Sequence, residues 1–189
     1  MHHIEPYHQW LNLYNASEDE LSPFYGREYS EFYFSNVIYN YYIHPQWDEF
    51  GSATLYVKIL FADYEKGFCI IEMIGEWNDC LYNDIMFFKR EVVDVLAENR
   101  INKFILIGEN VLNFHSSDDC YYQEWFEEVE DGWIVGVNFL DHVVAEFKHD
   151  RIDNYISMGE RYNIFDWRTR TPASLFEMIL QRIVKRIGE

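Results

Sequence analysis

Cysteine is scarce in this chain of 189 residues, and basic side chains are heavily outnumbered. The three cysteines, Cys69, Cys80 and Cys120, are odd in number and far apart, with no Cys-x-x-Cys among them. That pattern speaks against a disulfide framework and predicts a reducing, cytoplasmic setting. The 15 basic residues stand against 33 acidic ones, a formal net charge of -18. Nucleic-acid binders need a basic footprint to displace counterions, so that class is set aside. An anionic membrane surface is set aside on the same ground. No stretch approaches the run of about 18 apolar residues that reads as a spanning helix. The start, Met1 to Pro6, has neither the basic nor the apolar region of a signal peptide. Internal repeats and low-complexity tracts are missing. So are the glycine-rich phosphate loops, the Gly-x-Ser-x-Gly elbow and the HExxH zinc pattern. The sequence therefore names no catalytic residue, no cofactor and no metal, and it reads more readily as a binding chain than as an enzyme.

What is present is apolar and aromatic. Hydrophobic residues make up 49% and aromatics 19%, enough to fill a core. The length fits one domain with an extension. Residues 1–50 form that extension, dense in rings from Tyr7, Trp10 and Tyr14 to Tyr42, Trp47 and Phe50. Within it, Glu5 to Tyr14 predicts a short helix, Ser17 to Gly26 an acidic turn-rich stretch, and Glu31 to Ile43 a strand interrupted by Ser35, Asn36 and Asn40. The extension either pads a sheet edge or offers an aromatic surface to a partner or a second copy, forming a homodimer.

Residues 51–189 read as an α/β domain. Thr54–Tyr64 and Phe68–Trp77 predict two strands joined by the hairpin turn Glu65-Lys66-Gly67. Alternation places Leu55, Val57, Ile59 and Phe61 on one face. Gly75 to Asp84 predicts a loop and helix entry, capped from Asn78, Asp79 or Asn83. The helix then runs to Asn99 with a buried stripe of Leu81, Ile85, Phe88, Val92 and Leu96. Phe104–Ile107 predicts a short strand buried on both faces and stopped by Gly108, Glu109 and Asn110. Ser116 and Ser117 predict caps for the next helix, with Asp118 and Asp119 in its first turn. That helix runs to about Val129, and Gly132 ends it. Further strands are expected at Trp133–Phe139 and Tyr162–Trp167. Asp141 is expected to cap a helix carrying Val143, Val144 and Phe147. The final helix is capped by Thr171, with Pro172 in its first turn and a stripe of Leu175, Ile179, Ile183 and Ile187. Strands alternating with helices imply a mostly parallel central sheet.

This order, together with Gly75-Glu76-Trp77-Asn78-Asp79 at a strand end and the loop Val111-Leu112-Asn113-Phe114-His115-Ser116-Ser117-Asp118 before a helix, resembles the STAS family. That family comprises the sulphate-transporter and anti-sigma-factor-antagonist domains, including the SpoIIAA-like branch. The resemblance covers residues 54 to 187. His115 and Asp118 stand where the family carries Asp and Gly, and Ile107 stands where many members carry an Asp. The resemblance implies a non-catalytic regulatory module that binds a partner protein, in some members switched by phosphorylation of a serine at that helix start.

Two groups of residues are the candidate sites. Glu109, Asn110, His115, Ser116, Ser117, Asp118 and Asp119 form the expected interaction loop. In one reading the serines only cap a helix; in the other, one of them carries a phosphate, which the neighbouring Asp118 and Asp119 would repel. His115 with Glu109, Asp118 and Asp119 offers metal-ligating atoms without metal-site spacing. Glu76, Trp77, Asn78 and Asp79 form the expected wall of a pocket, if the chain is instead a small-ligand binder or an enzyme. His142, Glu146 and His149 share a helix face and read as a solvated surface. Glu72 and Glu76 are paired carboxylates whose spacing does not show them facing each other. Cys120 sits at a helix start with Asp118 and Asp119 raising its thiol pKa. The acidic run from Asp118 to Asp131 suits a basic partner or the basic face Arg182, Lys185 and Arg186.

Overall fold

The computed structural model describes residues 2–34 and 36–187, without the side chains of His2, His3, Arg186 and Ile187. The expected roles of Ser35, Arg186 and Ile187 therefore lie outside the described residues.

Two β-rich runs form the hairpin that starts the main sheet: β4 (Leu55–Asp63) and β5 (Phe68–Asn78). They follow three short strands, β1 (His2–Ile4), β2 (Asn36–Ile38) and β3 (Tyr41–Ile43), which form a small sheet of their own in the order β1-β3-β2. Gly67, at φ +70, closes the β4–β5 turn, and its N–H donates to Asp63 O at 2.8 Å. The alternation along β4 breaks at Leu60. Ile59 pairs with Ile71 but Phe61 pairs with Ile70, so one extra residue bulges. Phe61 consequently packs on the face opposite Leu55, Val57 and Ile59, contrary to simple alternation.

The strand expected at Phe104–Ile107 is far longer. β6 runs Lys103–His115, 13 residues, and Gly108, Glu109 and Asn110 do not stop it. Gly108 is there for space: a Cβ on it would come within 2.4 Å of the Phe139 ring. β6 lies parallel to β5 and to β7 (Trp133–Val137), giving the order β4-β5-β6-β7 with only the first pair antiparallel. The chain is thus mixed α/β, with a mostly parallel four-stranded sheet. Tyr162–Trp167 is not a strand. It lies between single turns at Glu160–Tyr162 and Trp167–Thr169, and Tyr162, Ile164 and Trp167 are buried in it as anchors under the sheet.

Helices cover both faces. On one, α1 (Asp79–Tyr82), α2 (Asp84–Phe88), a wide π-type turn at Lys89–Val93 and α3 (Asp94–Glu98) replace the single expected helix. Ile85, Phe88, Val92 and Leu96 are buried as the periodicity predicts, but Leu81 is 73% exposed. The break at Asn83, in the left-handed conformation, turns α1 away from the stripe. α4 (Cys120–Glu128) and α5 (Asp141–His149) complete this layer through Tyr122, Trp125, Val143, Val144 and Phe147. α4 ends at Glu128 with Val129 as its cap, close to the expected end, and Leu140 rather than Asp141 occupies the cap of α5. On the other face, α6 (Pro172–Ile187) packs Leu175, Phe176 and Ile179 beside Trp167. Ser174 N donates to Thr171 Oγ1 at 3.2 Å, the predicted cap.

Residues 2–50 wrap the hairpin. Glu5 to Tyr14 forms turns, not a helix. Its Trp10 is buried against Trp167, while Phe24 and Phe50 enter the core on the opposite face. Ile38, Ile43 and Trp47 pack with Tyr56 and Ile74 in a third cluster. Tyr14 and Tyr64 both donate to Asp19 Oδ2, at 2.7 and 2.5 Å, fastening the extension to the end of β4.

Candidate functional site

Parallel pairing of β5 with β6 sets Glu76 opposite Asn113, Trp77 opposite Phe114 and Asn78 opposite His115. This register unites part of the two residue groups singled out by sequence. Gly75 to Asn78 continue β5 instead of forming a loop, so Glu76 is held by a strand at the sheet's carboxyl end, where α/β sites usually lie. His115 Nε2 lies 3.2 Å from Glu76 Oε1. Tyr39, from the turn of the β2–β3 hairpin, donates its hydroxyl to Glu76 Oε2 at 2.8 Å and accepts from Asn113 Nδ2 at 3.1 Å. Asn78 Nδ2 donates to Glu76 Oε1 at 3.1 Å. His115 is half exposed, and Leu81 and Tyr82 stand exposed on α1, which begins just after Asn78. The result is a polar array reaching solvent, built from extension, β5 and β6 together.

Beneath it, Trp77 and Asp79 are fully enclosed. Asp79 Oδ1 accepts from Trp77 Nε1 (3.0 Å) and Ile85 N (2.8 Å), and Oδ2 accepts from Tyr122 hydroxyl (2.5 Å). Burial pushes the Asp79 carboxyl up to about 7 despite those donors. Asp84 Oδ2 accepts from Asn78 N at 2.8 Å, so the two carboxylates fasten the strand end and α2 reciprocally. Burial raises Asp84 as well. Of the expected pocket wall, Asn78 also caps α1, accepting from Leu81 N at 2.9 Å. The crevice beside Gly75 and Asn110 holds only about 10 Å³, room for at most one water.

The expected interaction loop is dispersed. Five residues of strand separate Glu109 from His115, roughly 20 Å of extended chain. Glu109 points to the other face. Its Oε1 accepts from Trp167 Nε1 (2.7 Å) and Asn138 Nδ2 (2.8 Å), and its Oε2 pairs with Arg168 (2.7 Å). Arg168 also reaches the buried Glu72 at 3.6 Å, whose Oε2 accepts from Tyr7 N at 2.8 Å. Burial pushes Glu72 up to about 7. Glu72 and Glu76 therefore serve separate networks. Asn110 borders the small crevice. Ser116 and Ser117 do not cap α4; Asp119 occupies that position. The longer strand moves the helix start to Cys120. Ser116 Oγ instead donates to Asp150 Oδ2 at 2.6 Å, Ser117 is exposed, and Asp119 Oδ2 accepts from the Tyr155 hydroxyl at 2.6 Å. Asp118 accepts from Cys120 N at 3.2 Å and raises the Cys120 thiol. His115, Glu109, Asp118 and Asp119 do not converge on a metal position, since their carboxylates are engaged apart.

The acidic helix α4 also meets its cations within the chain. Lys89, fully buried in the π-type turn, reaches Glu128 at 2.5 Å, Glu124 at 3.5 Å and Asp94; Arg90 grips Glu124. Arg182 is occupied elsewhere, donating to Arg161 O and Asn163 O. His142 Nε2 lies 2.7 Å from Leu112 O, away from Glu146 and His149, which group instead with Asp150.

Tyr39, Asn113 and the Glu72–Arg168 pair escaped sequence reasoning. Period-two alternation pointed to the first strand pair only, and nothing local ties residue 39 to 76. No family model matches this chain, and no curated protein matches it.

Proposed function

We propose that this chain is a non-catalytic regulatory module of STAS-like type that recognises a protein partner, basic in character, through the surface around Tyr39, Glu76, Asn113 and His115. The observation that carries the reading is the pairing of Glu76 with a half-exposed His115 at a sheet end where the crevice beside Gly75 and Asn110 holds only about 10 Å³. The acids pushed up to about 7, Glu72 and Asp79, are sealed by main-chain and side-chain donors, so they suit structure better than turnover. A net charge of -18 favours encounter with a positively charged surface.

The test is affinity capture from native lysate, comparing wild type with Glu76→Gln combined with His115→Ala. The reading expects a basic protein enriched by wild type and depleted at least several-fold by the double variant, with unchanged melting. No enrichment, or enrichment indifferent to the substitutions, removes this surface from consideration.

A further inference from the structure

Between the extension and β4 lies a cleft of about 400 Å³, within the size range of small-molecule sites. It is lined by none of the Glu76–His115 residues. Its walls include the rings of Tyr29, Trp47 and Tyr56 and the carboxylates of Glu28 and Glu49. Tyr56 is only 4% exposed, lines this cleft, and its hydroxyl has no hydrogen-bond partner among the described residues. The ring is buried but the hydroxyl oxygen is not sealed from solvent, so it is available to something that enters the cleft.

The other polar groups decide what that is. Trp47 Nε1 is committed to Ile4 O at 2.7 Å. The Arg27 guanidinium is committed to Asp48 Oδ1 at 3.2 Å and Glu49 O at 2.5 Å. The Tyr29 hydroxyl is committed to Asp48 Oδ1 at 2.6 Å. Glu49 receives Asn36 Nδ2 on Oε1 alone, at 2.6 Å, leaving Oε2 open. Trp47, Arg27 and Tyr29 thus have their donors engaged, whereas the carboxylate oxygens Glu49 Oε2 and Glu28 are open, beside the Tyr56 hydroxyl, which can donate or accept. Aromatic walls with uncommitted carboxylates attract cations. Lys58 already shows the preference, its Nζ lying 3.8 Å from the centroid of the Tyr29 ring.

We infer that this cleft binds an alkylammonium or guanidinium group, held against Tyr56 and Trp47 with its charge on Glu49. The group belongs either to a free organic cation or to a lysine or arginine side chain. Calorimetric titration of the full chain separates these. The probes are agmatine, arginine blocked at both ends as an acetyl methylamide, and the equally blocked citrulline, a neutral isostere. The inference expects a cationic probe to bind at millimolar concentration or better and citrulline to fail. It also expects Glu49→Gln to weaken binding about five-fold or more, and Tyr56→Phe to weaken it about two- to three-fold. Binding of blocked arginine assigns the cleft to a side chain in a polypeptide; binding of agmatine alone assigns it to a free cation. No binding of either cation, or citrulline binding as well as arginine, overturns the inference. The wild-type comparison stands even where a variant fails to fold.

Discussion

Asp79 illustrates how a single side chain makes stability depend on pH. Its carboxyl is raised from 3.8 to about 7, chiefly by burial. The folded chain therefore holds this proton where the unfolded chain has released it. Its contribution is fully present below about pH 4 and is lost as pH rises through about 7. Asp79→Asn keeps an oxygen for Trp77 and Ile85 and presents an amide to the Tyr122 oxygen. Urea unfolding should find this variant gaining on wild type between pH 5 and pH 8, by on the order of 2–4 kcal/mol. A gap that does not change with pH would assign the burial penalty elsewhere. The sequence marked Asp79 as a helix-entry residue. It did not show the Tyr122 contact, because a residue 43 positions away is joined to it only through the sheet.

At the level of elements, the helices and the hairpin were largely legible. Ile85, Phe88, Val92 and Leu96 repeat at helical spacing, and Gly67 closes a turn of evident chemistry. The errors lie where tertiary packing overrode local punctuation. Gly108 has the local signature of a strand stop but is a seat for Phe139 in an uninterrupted strand. That one misreading displaced Ser116 and Ser117 from strand end to false cap. The π-type turn likewise has no period to betray it. It places Lys89 inward, where burial alone would lower its pKa; Asp94 and Glu128 outweigh that and leave it raised. Lys89→Met should destabilise the fold by about 1–2 kcal/mol, less than the ~3–5 kcal/mol of breaking a fully buried pair, because the carboxylates left behind keep partial access to water. Chemical denaturation at low and high salt would check it. A neutral or stabilising result would mean the methionine packs better than the amine pairs.

For the whole molecule, the extension and the α/β domain share their cores. Trp10, Phe24, Phe50, Ile43 and Trp47 are divided among three clusters, each of which also contains residues from the main sheet. A chain beginning at residue 51 should therefore expose apolar surface on both faces and fail to give a cooperative melt; a cooperative melt in calorimetry would show the domain independent. The fastening of Tyr14 and Tyr64 to one carboxylate oxygen has an optical counterpart. Phenolate absorbs where phenol does not, and burial, reinforced by Asp19, raises both hydroxyls well beyond the ordinary range. As alkali is added, these two rings should stay colourless in the near-ultraviolet after exposed rings have ionised, and change late, as their contact with Asp19 opens. That step loosens the tie between the extension and the end of β4. Its position on the pH axis would thus serve as a gauge, readable in a cuvette, of how firmly the chain's beginning is clasped to its centre.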